Sequence, residues 1–582
     1  MLLAVLGLRS IHAVSVEPVV HTPQGSLRGE ILGGGVEAWR GVRYAKPPVG
    51  ALRFAPAQPI VPWTGVLNAT AFGNACVQPL PIPDAAGPGI GEDCLFLNVF
   101  RPRGAAGRGL PVTVWLHGGD LIWGAGSTRW FDGEQFVRFR DRILVTLNYR
   151  LGPLGFLPTD AAVRQGHGTG GLNGMLDQIA ALEWVRDNIG SFGGNSSNVV
   201  LHGESSGGQS ACVLMASPAA AGLFARVVLQ SGPCIGGWAP NNASTGRHVT
   251  RQMLDAMGRG GISGCPRQPV APAAALHNQS VLLAYMRAAP LACAGYWPDN
   301  TMFTADKVLT NYFFEDGLVV PFSSSATGSL EARLLSGAVW ALHPHTAIDS
   351  LLIGANSRDG TTPFDYEPLP PLLLPLNEAN ELHWGAKLGP VVTKQYPASL
   401  FHGSKSTAFV TADSDCFVTC PSRRLAAAVT KAGVPVYFYE YAHLSSVPNC
   451  DVCVDPGAGV GPGAVPKGDR TWASHGSEVR FVFNSTTGPD DMNASITNIC
   501  PFSAEEQQLV RAMDHFFGNF IEHGSPNSIA EHSGTQFPRW PQFKAKNSSM
   551  ILSSPTLHVV RQNRQADCDF WDAIDDPAVR PH

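Results

Sequence analysis

Residues 203–207 read Gly-Glu-Ser-Ser-Gly, and no other stretch of this 582-residue chain restricts its local path as tightly. Asn198-Val-Val-Leu-His202 leads into it with the β-branched and apolar residues of a buried strand. Gly207-Gly-Gln-Ser-Ala-Cys212 leads out of it, small enough for a helix to start close against that strand. A serine in a G-x-S-x-G pattern so flanked sits on a sharp strand–turn–helix elbow with its hydroxyl raised above the sheet. The helix start aims free N–H groups at the same point. With 63 glycines in the chain, the bare pattern can arise by chance. Its flanks make Ser205 a candidate nucleophile.

The rest of the chain agrees with such an elbow. Val112–Leu116, Ile143–Leu147, Val199–Leu201, Val227–Leu229, Leu351–Ile353 and Val436–Tyr439 read as short buried strands alternating with helical patterns. That alternation predicts a mainly parallel sheet flanked by helices. Leu176, Ile179, Leu182, Val185 and Ile189 recur at helical spacing, with Asp177, Glu183, Arg186 and Asp187 assigned to other faces. There is no internal repeat or clean linker. The Gly/Pro-rich stretches 258–274 and 452–468 read as loops of one large domain spanning 16–582. At 44% hydrophobic and 15% charged residues the chain can bury a large core. The net charge of −5, without a Lys/Arg run, argues against nucleic acid as a partner. No apolar run reaches the roughly 18–20 residues of a membrane-spanning helix.

The segment Phe192-Gly-Gly-Asn195 through Asn198-Val-Val-Leu-His-Gly-Glu-Ser-Ser-Gly-Gly208 resembles the active-site signature of the type-B carboxylesterase/cholinesterase family. Glu92-Asp-Cys-Leu-Phe-Leu-Asn-Val99 resembles its second signature. Arg40-Gly-Val-Arg-Tyr-Ala-Lys-Pro-Pro-Val-Gly50 and Cys568-Asp-Phe-Trp571 fit as well. The resemblance implies an α/β-hydrolase fold and a serine carboxylic-ester hydrolase that needs neither metal nor cofactor. Cys450-Asp-Val-Cys453 has zinc-like spacing but no second ligand pair nearby.

A serine nucleophile needs a base, and the base needs a carboxylate to orient it. In this fold the chain order is Ser, acid, His. Asp316, in Phe314-Glu-Asp-Gly-Leu318, and Asp359, in Asn356-Ser-Arg-Asp-Gly360, compete for the acid. Asp359 follows a buried strand, where an open α/β sheet places its site, and matches the family position of the acid. Among the later histidines, His443 resembles a structural position, while His515 and His523 fall on or after a late amphipathic helix. His475, in Ser474-His-Gly-Ser-Glu478, matches the family's catalytic His-Gly-x-Glu. By the same resemblance Glu204 assists the site, ordering water or the histidine.

His117-Gly-Gly-Asp120 stands where the family has its oxyanion loop, so the expected donors are the N–H groups of Gly119, Asp120 and Ser206. The family favours Gly or Ala at position 120. An Asp still offers its N–H, but its carboxylate would oppose a developing anion. Arg150 and Asp177 resemble a structural salt bridge. The resemblance further implies disulfides Cys76–Cys94, Cys265–Cys293 and Cys420–Cys568 and leaves Cys416, Cys450, Cys453 and Cys500 open, while Cys212 and Cys234, near the core around the nucleophile, are expected to be free, buried thiols. The loop from Val77 to Gly91 has no tryptophan for a cation–π grip on a choline ester and is too Pro-rich for a helical lipase lid. Small to medium uncharged esters are the expected substrates. The alternatives are an interfacial lipase and a non-catalytic adhesion or binding protein of the same fold.

Twelve cysteines suit an oxidising compartment. Residues 1–15 read as a weak or incomplete secretory signal. Asn68, Asn242, Asn278, Asn484, Asn493 and Asn547 begin glycosylation triplets. Asn195 begins one too but is expected to lie shut against a core strand. A secreted monomer or homodimer is the expectation.

Overall fold

The computed structural model describes residues 17–78, 87–131, 133–156, 172–236, 279–290, 334–335, 348–360, 374–446, 473–486, 501–527, 537–544 and 547–574. Its strands are β1 (Val19–Thr22), β2 (Gly25–Arg28), β3 (Glu30–Ile31), β4 (Val36–Arg43), β5 (Val66–Asn68), β6 (Phe96–Pro102) and β7 (Leu110–Leu116). They continue as β8 (Ile143–Leu147), β9 (Gly194–Glu204), β10 (Arg226–Gln230), β11 (Ser350–Asn356), β12 (Val436–Tyr441), β13 (Ser548–Leu552) and β14 (His558–Arg561). Every strand read from the sequence falls inside one of these.

Strands β1, β2 and β5 form a small separate sheet. The large one runs β14-β13-β12-β11-β10-β9-β7-β8-β6-β4-β3. From β13 to β8 all neighbours pair in parallel, while β14 at one edge and β6, β4 and β3 at the other pair antiparallel. The central strands are buried on both faces, as covered parallel strands must be. Val112, Val114, Val199, Leu201 and Val227 join one core, and Trp115, Val200 and Val228 join the other.

The helix Asn173–Asn188 departs from its expected facing. Leu176 and Ile179 are only half-buried, while Asp177 and Gln178 are fully buried. The reason is Arg150, whose Nε and Nη2 donate to the two Asp177 carboxylate oxygens at 2.7 Å each. A buried charge pair can hold a polar residue on the inner face when its hydrogen bonds are met.

Three disulfides close among the described residues: Cys76–Cys94, Cys420–Cys568 and Cys212–Cys234. The last corrects the expectation that Cys212 and Cys234 are free. Both are buried, as expected, but β9 and β10 pair in register, so the helix after one and the loop after the other bring the two thiols together. Cys416 carries no disulfide. Cys265, Cys293, Cys450, Cys453 and Cys500 lie outside the described residues, as does Asp316.

Candidate active site

The carboxyl ends of β7, β9, β10 and β11 meet at the middle of the sheet. Ser205 follows β9 directly and has φ 55°, ψ −130°, a conformation an L-residue adopts only under constraint. Its N–H donates to the Gln230 carbonyl (2.9 Å), and its carbonyl accepts from Gln209 N–H (2.9 Å) in the helix Ser206–Met215. The elbow closes only because its flanks are small. A Cβ on Gly203 would sit 2.3 Å from the Gly207 carbonyl oxygen, and one on Gly207 would sit 2.1 Å from the Leu116 oxygen. Ser205 is half-buried in an otherwise buried segment.

Asp359 lies in the turn after β11 and is almost wholly buried. Its Oδ2 accepts from the Asn356 N–H (2.5 Å) and from Ser231 Oγ (2.8 Å). Its Oδ1 faces His475 Nδ1 at 3.1 Å. The loop carrying His475 is stitched to the same turn. Arg358 N–H donates to the Ala473 carbonyl (3.1 Å), and Asn356 Nδ2 to the Ser474 carbonyl (2.7 Å). An Nδ1–H directed at Asp359 leaves Nε2 as the basic nitrogen, and Nε2 faces the elbow, 3.4 Å from Glu204 Oε1.

The loop after β7 covers the elbow. A Cβ on Gly118 would lie 2.7 Å from Glu204 Oε2 and 3.0 Å from Ser205 Cβ. Gly119, Asp120 and Leu121 all have positive φ, at 108°, 54° and 60°. Leu121 N–H donates to Ser206 Oγ at 3.2 Å, fixing this turn to the helix start. His117 stacks on Tyr149, and the Tyr149 hydroxyl donates to the His117 carbonyl (2.7 Å). The turn after β7 therefore lies against Ser205 and the start of the helix Ser206–Met215.

The electrostatics are set by carboxyl groups around one imidazole. Burial pushes Glu204 up to about 8, assisted by Glu478 and Asp359 and opposed by His475. Burial likewise pushes Asp120 up to about 8, again opposed by His475. Burial pulls His475 down, but Glu204 and Asp359 outweigh it and hold the imidazole above its ordinary value. The protonation of His475 is therefore tied to that of Glu204.

Other sequence-read residues lie elsewhere. His443 Nε2 faces Glu506 Oε1 at 3.3 Å, away from the elbow. His515 and His523 lie on the helix Ala504–His523. Asn68 is exposed, and Asn484 and Asn547 are half-buried; Asn242, Asn278 and Asn493 lie outside the described residues. Asn195 is exposed at the start of β9, which corrects the expectation that the strand shuts it in. Among the described residues no cluster of three His, Cys, Asp or Glu is arranged to hold a metal ion. Residues that the motifs alone do not reveal are Gln230, whose carbonyl accepts the Ser205 N–H, and Ser231 and Asn356, which donate to Asp359. Their one signal is polarity at the carboxyl ends of apolar strands.

A family model described as the carboxylesterase family matches residues 16–281 and 373–571, leaving Asp359 between the two stretches. Para-nitrobenzyl esterase of Bacillus subtilis is 45% identical over 217 residues, 37% of this chain and 43% of that protein. Liver carboxylesterase 1 of Oryctolagus cuniculus is 28% identical over 603 residues, 96% of this chain and 93% of its own. Carboxylesterase 5A of Mus musculus is 29% identical, covering 96% of this chain and 89% of its own. A solved structure titled PNB esterase superposes with TM-score 0.68 at 28% identity, over 95% of this chain and all of that one.

Proposed function

The chain belongs to the carboxylesterase family and is a carboxylic-ester hydrolase; from that premise we propose that Ser205, His475 and Asp359 carry its chemistry. His475 Nε2 takes the Ser205 hydroxyl proton as Oγ attacks the ester carbonyl carbon. The N–H groups of Gly119, Asp120 and Ser206 hold the resulting oxyanion, each such donor being worth about 3–4 kcal/mol of barrier. The tetrahedral adduct expels the alcohol, which receives the proton from His475, and the acyl group stays on Oγ. Water then loses a proton to His475 and attacks the acyl carbon, and the acid leaves as Ser205 regains its proton. Asp359 keeps Nδ1 protonated and stabilises the imidazolium, and Glu204 sits beside Nε2 to order the water.

The observation that carries this reading is the His475–Asp359 contact of 3.1 Å, with Nε2 turned to the elbow. The substrates we propose are small to medium uncharged esters. Asp120, Glu204, Asp359 and Glu478 all surround His475, and once Asp120 and Glu204 ionise near pH 8 their charge disfavours an anionic ester. The test is hydrolysis of p-nitrophenyl esters from acetate to palmitate beside Ser205→Ala. The expected result is a peak at short or medium chains that vanishes in the variant. A peak at long chains instead favours an interfacial lipase, and equal rates in both proteins favour a non-catalytic binding protein.

We also propose a secretory-pathway or extracellular location. Three disulfides among the described residues support it. Exposed Asn68 and Asn195 offer themselves for glycosylation, whereas Asn547 donates its Nδ2 to Gln565 Oε1 at 2.5 Å and is poorly placed for it. A gel shift on peptide N-glycosidase treatment that Asn68→Gln reduces is the expected outcome.

A further inference from the structure

Behind the site runs a line of buried polar side chains that the acyl-transfer steps leave unused. His202, on β9 three residues before Ser205, has no exposed surface. Its ring meets Trp115 edge-on (centroids 4.8 Å apart) and lies along Phe517 (6.2 Å). Its Nε2 is 2.5 Å from Gln230 Oε1, while Nδ1 has no partner among the described residues. Gln230 Nε2 donates to Glu478 Oε1 at 3.0 Å. The other Glu478 oxygen accepts from Asn356 Nδ2 at 2.6 Å, the same amide that donates to the Ser474 carbonyl.

The direction of this chain follows from the ring. Burial, assisted by the charge of Arg142, lowers His202 to about 3 against the Gln230 hydrogen bond, so it is neutral and has one N–H. A proton on Nδ1 would be buried without an acceptor, at a cost of about 1–3 kcal/mol. The proton therefore sits on Nε2 and donates to Gln230 Oε1. That fixes the amide, oxygen toward His202 and NH2 toward Glu478. The opposite flip would set the amide oxygen against a carboxylate oxygen. Glu478 then remains an acceptor, and Asn356 stays anchored between it and the Ser474 carbonyl.

We propose that His202 is a positioning residue of the esterase site: its Nε2–H orients Gln230, Gln230 holds Glu478, and Glu478 anchors Asn356, which ties the His475 loop to the Asp359 turn. The inference rests on His475 and Asp359 being base and acid. The groups facing His475 are Glu204, Asp359, Glu478 and Asp120, and the charged group facing His202 is Arg142. Burial and Asp359 raise Glu478 against the hydrogen bonds from Asn356 and Gln230, with the Tyr439 hydroxyl also 3.4 Å from its Oε1. A Gln230 that has lost the His202 donor therefore lets Glu478 hold a proton more readily and weakens its field on His475.

His202→Phe keeps the aromatic contacts and deletes the donor, whereas His202→Gln offers an amide N–H near the position of Nε2. On p-nitrophenyl butyrate, His202→Phe is expected to lower kcat roughly 5- to 150-fold, the rate equivalent of one unsatisfied buried acceptor. KM should stay unchanged, and the acid limb of the pH profile should move to lower pH. His202→Gln is expected to restore both kcat and the limb. If His202→Phe does not fold, Gln230→Met carries the same expectation. A folded His202→Phe with wild-type kcat and pH profile, beside an inactive Ser205→Ala, overturns the inference alone. So does His202→Gln as impaired as His202→Phe at unchanged Tm. A Ser205→Ala that keeps wild-type activity overturns the reading of the site, and the inference with it.

Discussion

Asp120 places a carboxyl group where the proposed chemistry develops negative charge. In the proposed mechanism its backbone N–H would serve the oxyanion whatever the side chain, so the carboxyl acts only through its charge. Burial raises it to about 8, with His475 opposing. Below that pH it is neutral and indifferent to an oxyanion; above it the carboxylate repels one. Ionisation of Asp120 should therefore hold wild-type kcat/KM down increasingly as pH rises through about 8, on top of the rise that His475 deprotonation brings. Asp120→Asn, which keeps the N–H and cannot ionise, should raise kcat/KM over wild type above about pH 8 more than below it, as a pH–rate profile would reveal; an equal ratio at all pH values would mean that the carboxyl turns away from the reacting centre. Glu204 acts on the opposite limb. It is the strongest of the groups that raise His475, so Glu204→Gln should shift the acid limb of kcat/KM to lower pH. Ser205, Asp359 and His475 were legible as candidates because each lies in a motif whose neighbours announce its backbone. Gln230, Ser231 and Asn356 were not, because their hydrogen bonds depend on which strands are neighbours.

At the scale of elements, two ties hold the pieces that carry the site. The Cys212–Cys234 disulfide joins the helix that begins at Ser206 to the loop that carries Ser231, the Asp359 partner. With its cysteines 22 positions apart in the sequence, a loop-entropy argument gives it about 3 kcal/mol of stability. Replacing both residues by Ala should lower Tm measurably. Both sulfurs are buried, so a thiol reductant should leave the native protein's Tm unchanged until denaturant opens the fold. The Arg150–Asp177 pair ties the chain after β8 to the helix Asn173–Asn188. Asp177→Ala should destabilise by about 3–5 kcal/mol, because it strands a buried guanidinium. Strands were legible because continuous apolar runs between turn residues suit a sheet covered on both faces. The inner face of this helix was misread at Asp177, since apolar periodicity cannot register an ion pair formed across the fold.

For the whole molecule, the strand order puts β9 between β7 and β10, so the elbow, the loop after β7 and the partners of Asp359 converge at the carboxyl ends of the central parallel strands. His475 arrives there from a loop far along the chain, held by Arg358 and Asn356. The α/β alternation and the family signatures made this architecture readable. Strand order and the Cys212–Cys234 bond were not, because both are set by long-range pairing. The central claim is that Ser205, activated by His475 and Asp359, is the acyl-transfer nucleophile. The most direct measurement is peptide mass spectrometry after reaction with a fluorophosphonate, beside Ser205→Ala and Asp359→Asn. One adduct per chain on the peptide holding Ser205 is expected, absent in Ser205→Ala and formed far more slowly in Asp359→Asn. An adduct on another residue, or ester hydrolysis that survives full modification of Ser205, would contradict the claim.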